Sequence, residues 1–154
     1  MRILQTTTLI VLTALFAGLS ICEPSYLSSN KFLDEFVNQQ YINILAVIVT
    51  VSLVSVIQIH LEYSRVERRF KTRVFGDSRR TVNVGALILT GLLVAAFIIS
   101  FMKADLSSTP VAISLLHGAA LLTVLTAIFI MYDFVRIVYV LASEEPIEEG
   151  ESDK

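Results

Sequence analysis

Seven basic residues, Arg65, Arg68, Arg69, Lys71, Arg73, Arg79 and Arg80, fall between positions 65 and 80, opposed there only by Glu67 and Asp77. Such density makes a strong local positive field, and beside a bilayer each of these residues attracts anionic head groups by about 1 kcal/mol. The bland reading is that the cluster only sets membrane topology. The sharper one is a contact surface for anionic lipid or a protein partner. Nucleic acid is not the expected partner, because Phe70 and Phe75 are the only interleaved aromatics on which bases could stack.

A second group is His60, Glu62, Asp133 and Arg136. Ionisable groups at the ends of membrane helices snorkel or pair across helices. Glu62–Arg136 and His60–Asp133 are therefore the expected interhelical pairs, with Asp133–Arg136 as an alternative within one helix at i, i+3. A proton-responsive gate on His60 is the competing function, since a free imidazole titrates near ~6.5. His117, beside Gly118, Ala119 and Ala120, reads as an interhelical hydrogen-bonding group. Cys22, Glu23 and Asp105 match no ligand spacing that would give it a metal, and His60 and His117 sit too far apart in depth to share a haem.

Catalytic chemistry finds little support. Ser52, Ser55 and Ser100 have no histidine or lysine at helical spacing to activate them. There is no phosphate-cradling glycine loop and no acidic pair set for metal-assisted hydrolysis. The expectation is a non-enzymatic protein without a cofactor.

The elements that must carry these residues are four apolar runs, Leu4–Ile21, Tyr41–Leu61, Val82–Met102 and Val111–Met131, none containing Lys, Arg, Asp or Glu. A hydrocarbon core of ~30 Å needs about 20 helical residues, so each run reaches or nearly reaches a spanning length. A 55% hydrophobic composition over 154 residues and a mean hydropathy of +0.72 place the chain in the same class. The single cysteine, Cys22, excludes an internal disulfide framework.

The basic residues give the orientation. Arg2, Lys154 and the seven of the 62–81 connection share one side, Lys31 and Lys103 lie on the other, and Arg136 follows the fourth span. The positive-inside rule puts both termini and the connection in the cytoplasm of a cell (inner) membrane protein. The first run also reads as a signal peptide, with Ala17, Gly18 and Ser20 before Cys22, but Arg2 alone supplies its charged start. Retention is the favoured reading.

Between the runs, Ser28, Ser29 or Asn30 can cap a short outer helix in which Phe32, Leu33, Phe36 and Val37 share one face. The second helix is expected to project to about Arg69 and to break at Gly76. The third is expected to start near Arg79 behind Asp77 or Ser78. The fourth is expected to continue to Ala142 and to pack on the second. The segment 143–154, with six acids, reads as a disordered tail that can fold back on the basic connection. Ala14/Gly18 and Gly91/Ala95 have the small-xxx-small spacing of close helix contact.

The expected fold is an all-α, four-helix antiparallel transmembrane bundle spanning 1–142, with extensions of helices two and four. The expected function is a self-associating or accessory subunit of a membrane complex that meets anionic lipid, its own copies or another membrane protein through the basic connection. The alternatives are an oligomeric pore gated from the cytoplasmic side, and a small transporter or membrane enzyme.

Overall fold

The computed structural model describes residues 2–71, 75–105 and 109–143, and these are helical almost throughout, with no strand among them. The elements are α1 (Arg2–Cys22), α2 (Ser25–Ser28), α3 (Lys31–Glu35), a π-turn at Phe36–Gln40, α4 (Tyr41–Phe70), α5 (Gly76–Asp105) and α6 (Pro110–Ser143). Arg73 and the acidic residues from Glu144 onward lie outside the described residues.

The helix boundaries have local causes. The Asn30 side chain accepts from the backbone N–H of Phe32 at 3.0 Å and Leu33 at 3.3 Å, satisfying two of the orphan donors at the start of α3. The helical path then continues through the π-turn into α4 without a break. α4 ends at Lys71, whose φ of 51° is left-handed. The chain is thus turned by a lysine, and Gly76, the expected break, instead opens α5. The third helix therefore begins ahead of Arg79, with Asp77 in its first turn and Lys103 in its last, both favourable to the helix dipole. Pro110 starts α6, where its missing N–H has no intrahelical partner to lose.

Packing is organised around α6, which meets α1, α2, α4 and α5, while α4 also meets α5. Along α4 the buried residues Tyr41, Leu45, Ile48, Ser52, Val56, Ile59 and Tyr63 recur every three or four positions, with Val49 and Ser55 buried beside them. Val82, Leu89 and Ala96 of α5 and Ala120, Ala127 and Phe134 of α6 recur every seven. These are the seams by which long helices pack at shallow crossing angles. At Gly85 a Cβ would stand 2.8 Å from the ring tip of Phe134, so this glycine admits the buried ring. Gly18 and Gly91 have nothing within 4 Å of an added Cβ. Their small-residue ladders therefore face outward, and the close contact at α1/α6 is Gly118 against Phe16.

α1 is the outlying helix. Of its described side chains only Ser20 is buried, and that hydroxyl accepts from Ser114 Oγ at 2.9 Å. Toward the opposite end of α1, Gln5 Nε2 donates to Asp133 Oδ1 at 3.1 Å. Next to the Ser20–Ser114 pair, His117 is fully buried and its Nδ1 lies 2.8 Å from the Leu27 carbonyl. A carbonyl can only accept, so Nδ1 carries the proton and ties α2 to α6. Above the uncharged stretch that begins at Tyr41, the Lys103 ammonium donates to the Asp34 carboxylate at 2.7 Å and to its backbone carbonyl at 3.3 Å. That hydrogen bond, more than any other contact, holds the Asp34 carboxyl below the usual carboxylate range.

The outward faces are apolar. Phe101, Leu87, Ile10 and Val47 are among many large hydrophobic side chains left exposed. Thr13, Thr50 and Thr90, also on exposed faces, return their hydroxyl protons to the carbonyl four residues earlier, which hides polar groups inside the helix. Gln5–Cys22, Lys31–Arg69, Gly76–Lys103 and Pro110–Leu141 are each long and apolar enough to cross a membrane. The described residues form an all-helical bundle with four such helices, compatible with a multi-pass membrane protein.

Candidate functional site at the arginine-rich end

The α4–α5 hairpin positions the basic cluster. Arg79 at the start of α5 reaches back to α4, its Nη2 donating to Glu67 Oε2 at 2.9 Å and to Ser64 Oγ at 3.1 Å. Glu67 Oε1 in turn accepts from the backbone N–H of Phe75 at 3.3 Å. Arg79 is thus a structural clasp, with Phe75 stacked on Tyr63 beside it at a ring-centroid distance of 4.6 Å and 9° between planes.

The other basic residues stay outside that clasp. Arg65, Arg68, Arg69, Lys71 and Arg80 are exposed. Arg65 Nη1 lies 3.1 Å from both carboxylate oxygens of Glu62, one helical turn earlier. Arg68 Nε donates to the Ser64 carbonyl at 3.2 Å, which caps the closing turns of α4 with positive charge.

The expected polar cluster of His60, Glu62, Asp133 and Arg136 is differently partnered. His60 Nε2 donates to Asn83 Oδ1 at 2.8 Å, across the α4–α5 interface, rather than to Asp133. Asp133 instead accepts from Gln5 of α1. Glu62 turns to Arg65 of its own helix, as the exposed face of α4 allows. The physical reason is register. α4 and α5 pack side by side, so Asn83, at a depth in α5 matching that of His60 in α4, takes the imidazole.

Asp133 and Arg136 do share a place. With Tyr63 and Phe75 they line a cleft of about 330 Å³ between the ends of α4 and α6 and the start of α5. Ile137, Val140 and Leu141 complete its wall. Sequence spacing does not bring Tyr63 and Phe75 together, because they lie on different elements, and so it shows neither the aromatic pair nor the cleft. The signal available was Tyr63 itself, the continuation of the buried three-and-four spacing of α4.

Among the described residues no group of three or more His, Cys, Asp or Glu side chains comes together as a metal site would require. The hydroxyl oxygens of Ser52 and Ser100 are buried and have no hydrogen-bond partner among the described residues. No protein-family model, curated protein or solved structure matches the chain.

Proposed function

We propose that the chain is a multi-pass membrane protein of antiparallel helices, with both termini and the 62–81 connection in the cytoplasm. It works as a non-enzymatic accessory or self-associating subunit, and the arginine-rich end is its contact surface for anionic lipid or a partner. The observation that carries this reading is the division within the basic cluster. Arg79 is partly buried against Glu67 and Ser64, whereas Arg65, in its pair with Glu62, and Arg68, Arg69, Lys71 and Arg80 are exposed at one end of the bundle. Fixing topology requires only a count of charges. Holding five of them outward on a clasped hairpin supplies a surface of defined shape.

The outward side of α1 supports self-association. It exposes Ala14 with Gly18, and Ile10, Val11 and Leu15 beside them, on a helix that α6 alone chiefly holds. Small residues of this kind let a second helix approach closely in lipid.

The test is purification of the full chain in mild detergent, with mass by light scattering and binding to vesicles of varied anionic content. The expected result is a fixed oligomer or a constant-ratio complex, together with salt-sensitive preference for anionic vesicles. A monomer that co-purifies with nothing and ignores lipid charge overturns the proposal, and dye leakage from the vesicles would move the reading to a pore.

A further inference from the structure

We propose that two copies of the chain pair in parallel through the outward face of α4, with their Gln58 side chains hydrogen-bonded to each other between the two helices. This deepens the self-association reading by naming a contact face and its polar centre, and it rests on the membrane placement within that reading.

Gln58 is the anomaly that points there. It is exposed, one helical turn before Glu62, and hydrogen-bonds to none of the described residues. Its amide carries a carbonyl that accepts and an NH₂ that donates, and leaving either without a partner in an apolar medium is costly. Reaching for the near boundary does not relieve it. In a helix the Cα–Cβ bond tilts toward the N-terminus, and the side chain covers the turn before its own. For Gln58 that direction leads back toward Val54, into the uncharged run Tyr41–Leu61 and away from Glu62. Other polar groups of α4 have solutions that Gln58 lacks. His60 is bonded to Asn83, and Thr50 returns its proton to the Ala46 carbonyl.

The face around Gln58 has the spacing of a helix seam. Val47, Val51, Val54, Gln58 and Leu61 follow at alternate steps of four and three, and the four apolar ones are 46–63% exposed. α5 and α6 pack on α4, whose buried residues Leu45, Ile48, Ser52, Val56 and Ile59 lie on its opposite side. Valines add stiff side chains that lose little rotamer freedom on contact. In a parallel two-helix seam, valine at one position with leucine at the other favours pairs, and one polar residue fixes the register. Val51 and Gln58 share the first position, and Val47, Val54 and Leu61 share the second.

The occupant is a second copy because the amide complements itself. Copies inserted the same way can bring this face together only in parallel, about an axis along the membrane normal, so each residue comes near its own equivalent. Gln58 then meets an identical amide at the same depth, carbonyl to NH₂. Beyond Leu61 the seam reaches Arg65, which is paired with Glu62 of its own helix at 3.1 Å, so the copies do not meet there as bare like charges.

The test uses the full chain in vesicles, labelled at Cys22 with donor or acceptor dye, with energy transfer followed as lipid is added. The expected result is saturable transfer by the unaltered chain. Association should be about tenfold weaker in Gln58→Leu, the scale of an interhelical amide pair, and mostly recovered in Gln58→Asn. Helical circular dichroism of Gln58→Leu should not change, because the amide bonds to nothing described in its own chain. In a Cys22→Ser background, Val54→Cys should oxidise to a disulfide-linked dimer, whereas Leu53→Cys, exposed on the same helix but off the seam, should not. Undiminished association of Gln58→Leu, or equal cross-linking at the two positions, overturns the proposal. So does cross-linking of Val54→Cys to a different protein in cell membranes, which would give the face to a foreign helix. Saturable transfer with cross-linking at Ile10→Cys of α1, and none at Val54→Cys, leaves self-association standing and defeats this face alone. No transfer at any ratio defeats self-association and this contact with it.

Discussion

His117 of α6 donates its Nδ1 proton to the Leu27 carbonyl at 2.8 Å, with the ring fully buried and Leu27 almost so. This bond joins α2, in the connection between α1 and α4, to the central helix, beside the buried Ser20–Ser114 contact that fastens α1. Removing the donor leaves a buried carbonyl unsatisfied, which costs about 1–3 kcal/mol. His117→Leu should therefore lower the thermal midpoint in detergent by several degrees. His117→Gln, which keeps an N–H donor, should lower it by less. Equal losses would mean that the ring's volume, not its hydrogen bond, is what matters.

Arg79 and Arg80 are adjacent in sequence but have opposite roles. Arg79→Gln breaks the clasp to Glu67 and Ser64 and should cost about 1–2 kcal/mol, the scale of charge-assisted hydrogen bonds at a partly buried site. Arg80→Gln should leave the thermal midpoint unchanged while weakening binding to anionic vesicles at low salt. Thermal unfolding and vesicle flotation on the same two variants check this contrast.

Much of this architecture was legible in the residues, and for a simple reason. A bilayer demands about twenty uncharged helical residues per crossing, so four helices could be read from four uncharged runs. The partnering could not. His60 was expected against Asp133 because both lie near the same depth, but depth does not specify which helices are neighbours. The packing of α5 on α4 does, by placing Asn83 opposite His60. The left-handed conformation of Lys71 at the end of α4 leaves no mark in the sequence, unlike a glycine. The outward direction of Gly18 and Gly91 was equally hidden, since small-residue spacing shows where helices can approach and not whether they do.

The glycines separate these cases experimentally. Gly85→Leu should force the buried Phe134 ring aside, costing about 1–3 kcal/mol by overpacking. Gly91→Ala meets open space and should gain up to about 1 kcal/mol in helix propensity within one chain. If Gly91→Ala instead lowers the oligomer fraction in light scattering, that face is the contact between copies.

Asp34 predicts a pH dependence. Its carboxyl is lowered chiefly by the hydrogen bond from Lys103, with Asn38 Nδ2 also donating to it at 3.3 Å. A group whose folded value lies below its unfolded one stabilises above the unfolded value, and that contribution is lost as pH falls through the folded one. The difference in thermal midpoint between the unaltered chain and Asp34→Asn should thus be constant from neutral pH to about pH 5 and shrink below about pH 4. It should be small, because Asp34 is half-exposed. A difference that grows on acidification contradicts the assignment.

Cys22 gives the most direct measurement of the proposed placement, because it is the only thiol and is exposed at the end of α1 away from the basic connection. Intact cells should be treated with a membrane-impermeant maleimide, and the membranes then washed with alkaline carbonate. The predicted result is a carbonate-resistant protein already labelled at Cys22 from outside. Labelling only after permeabilisation would reverse the orientation, and release of the protein by carbonate would contradict the membrane bundle itself.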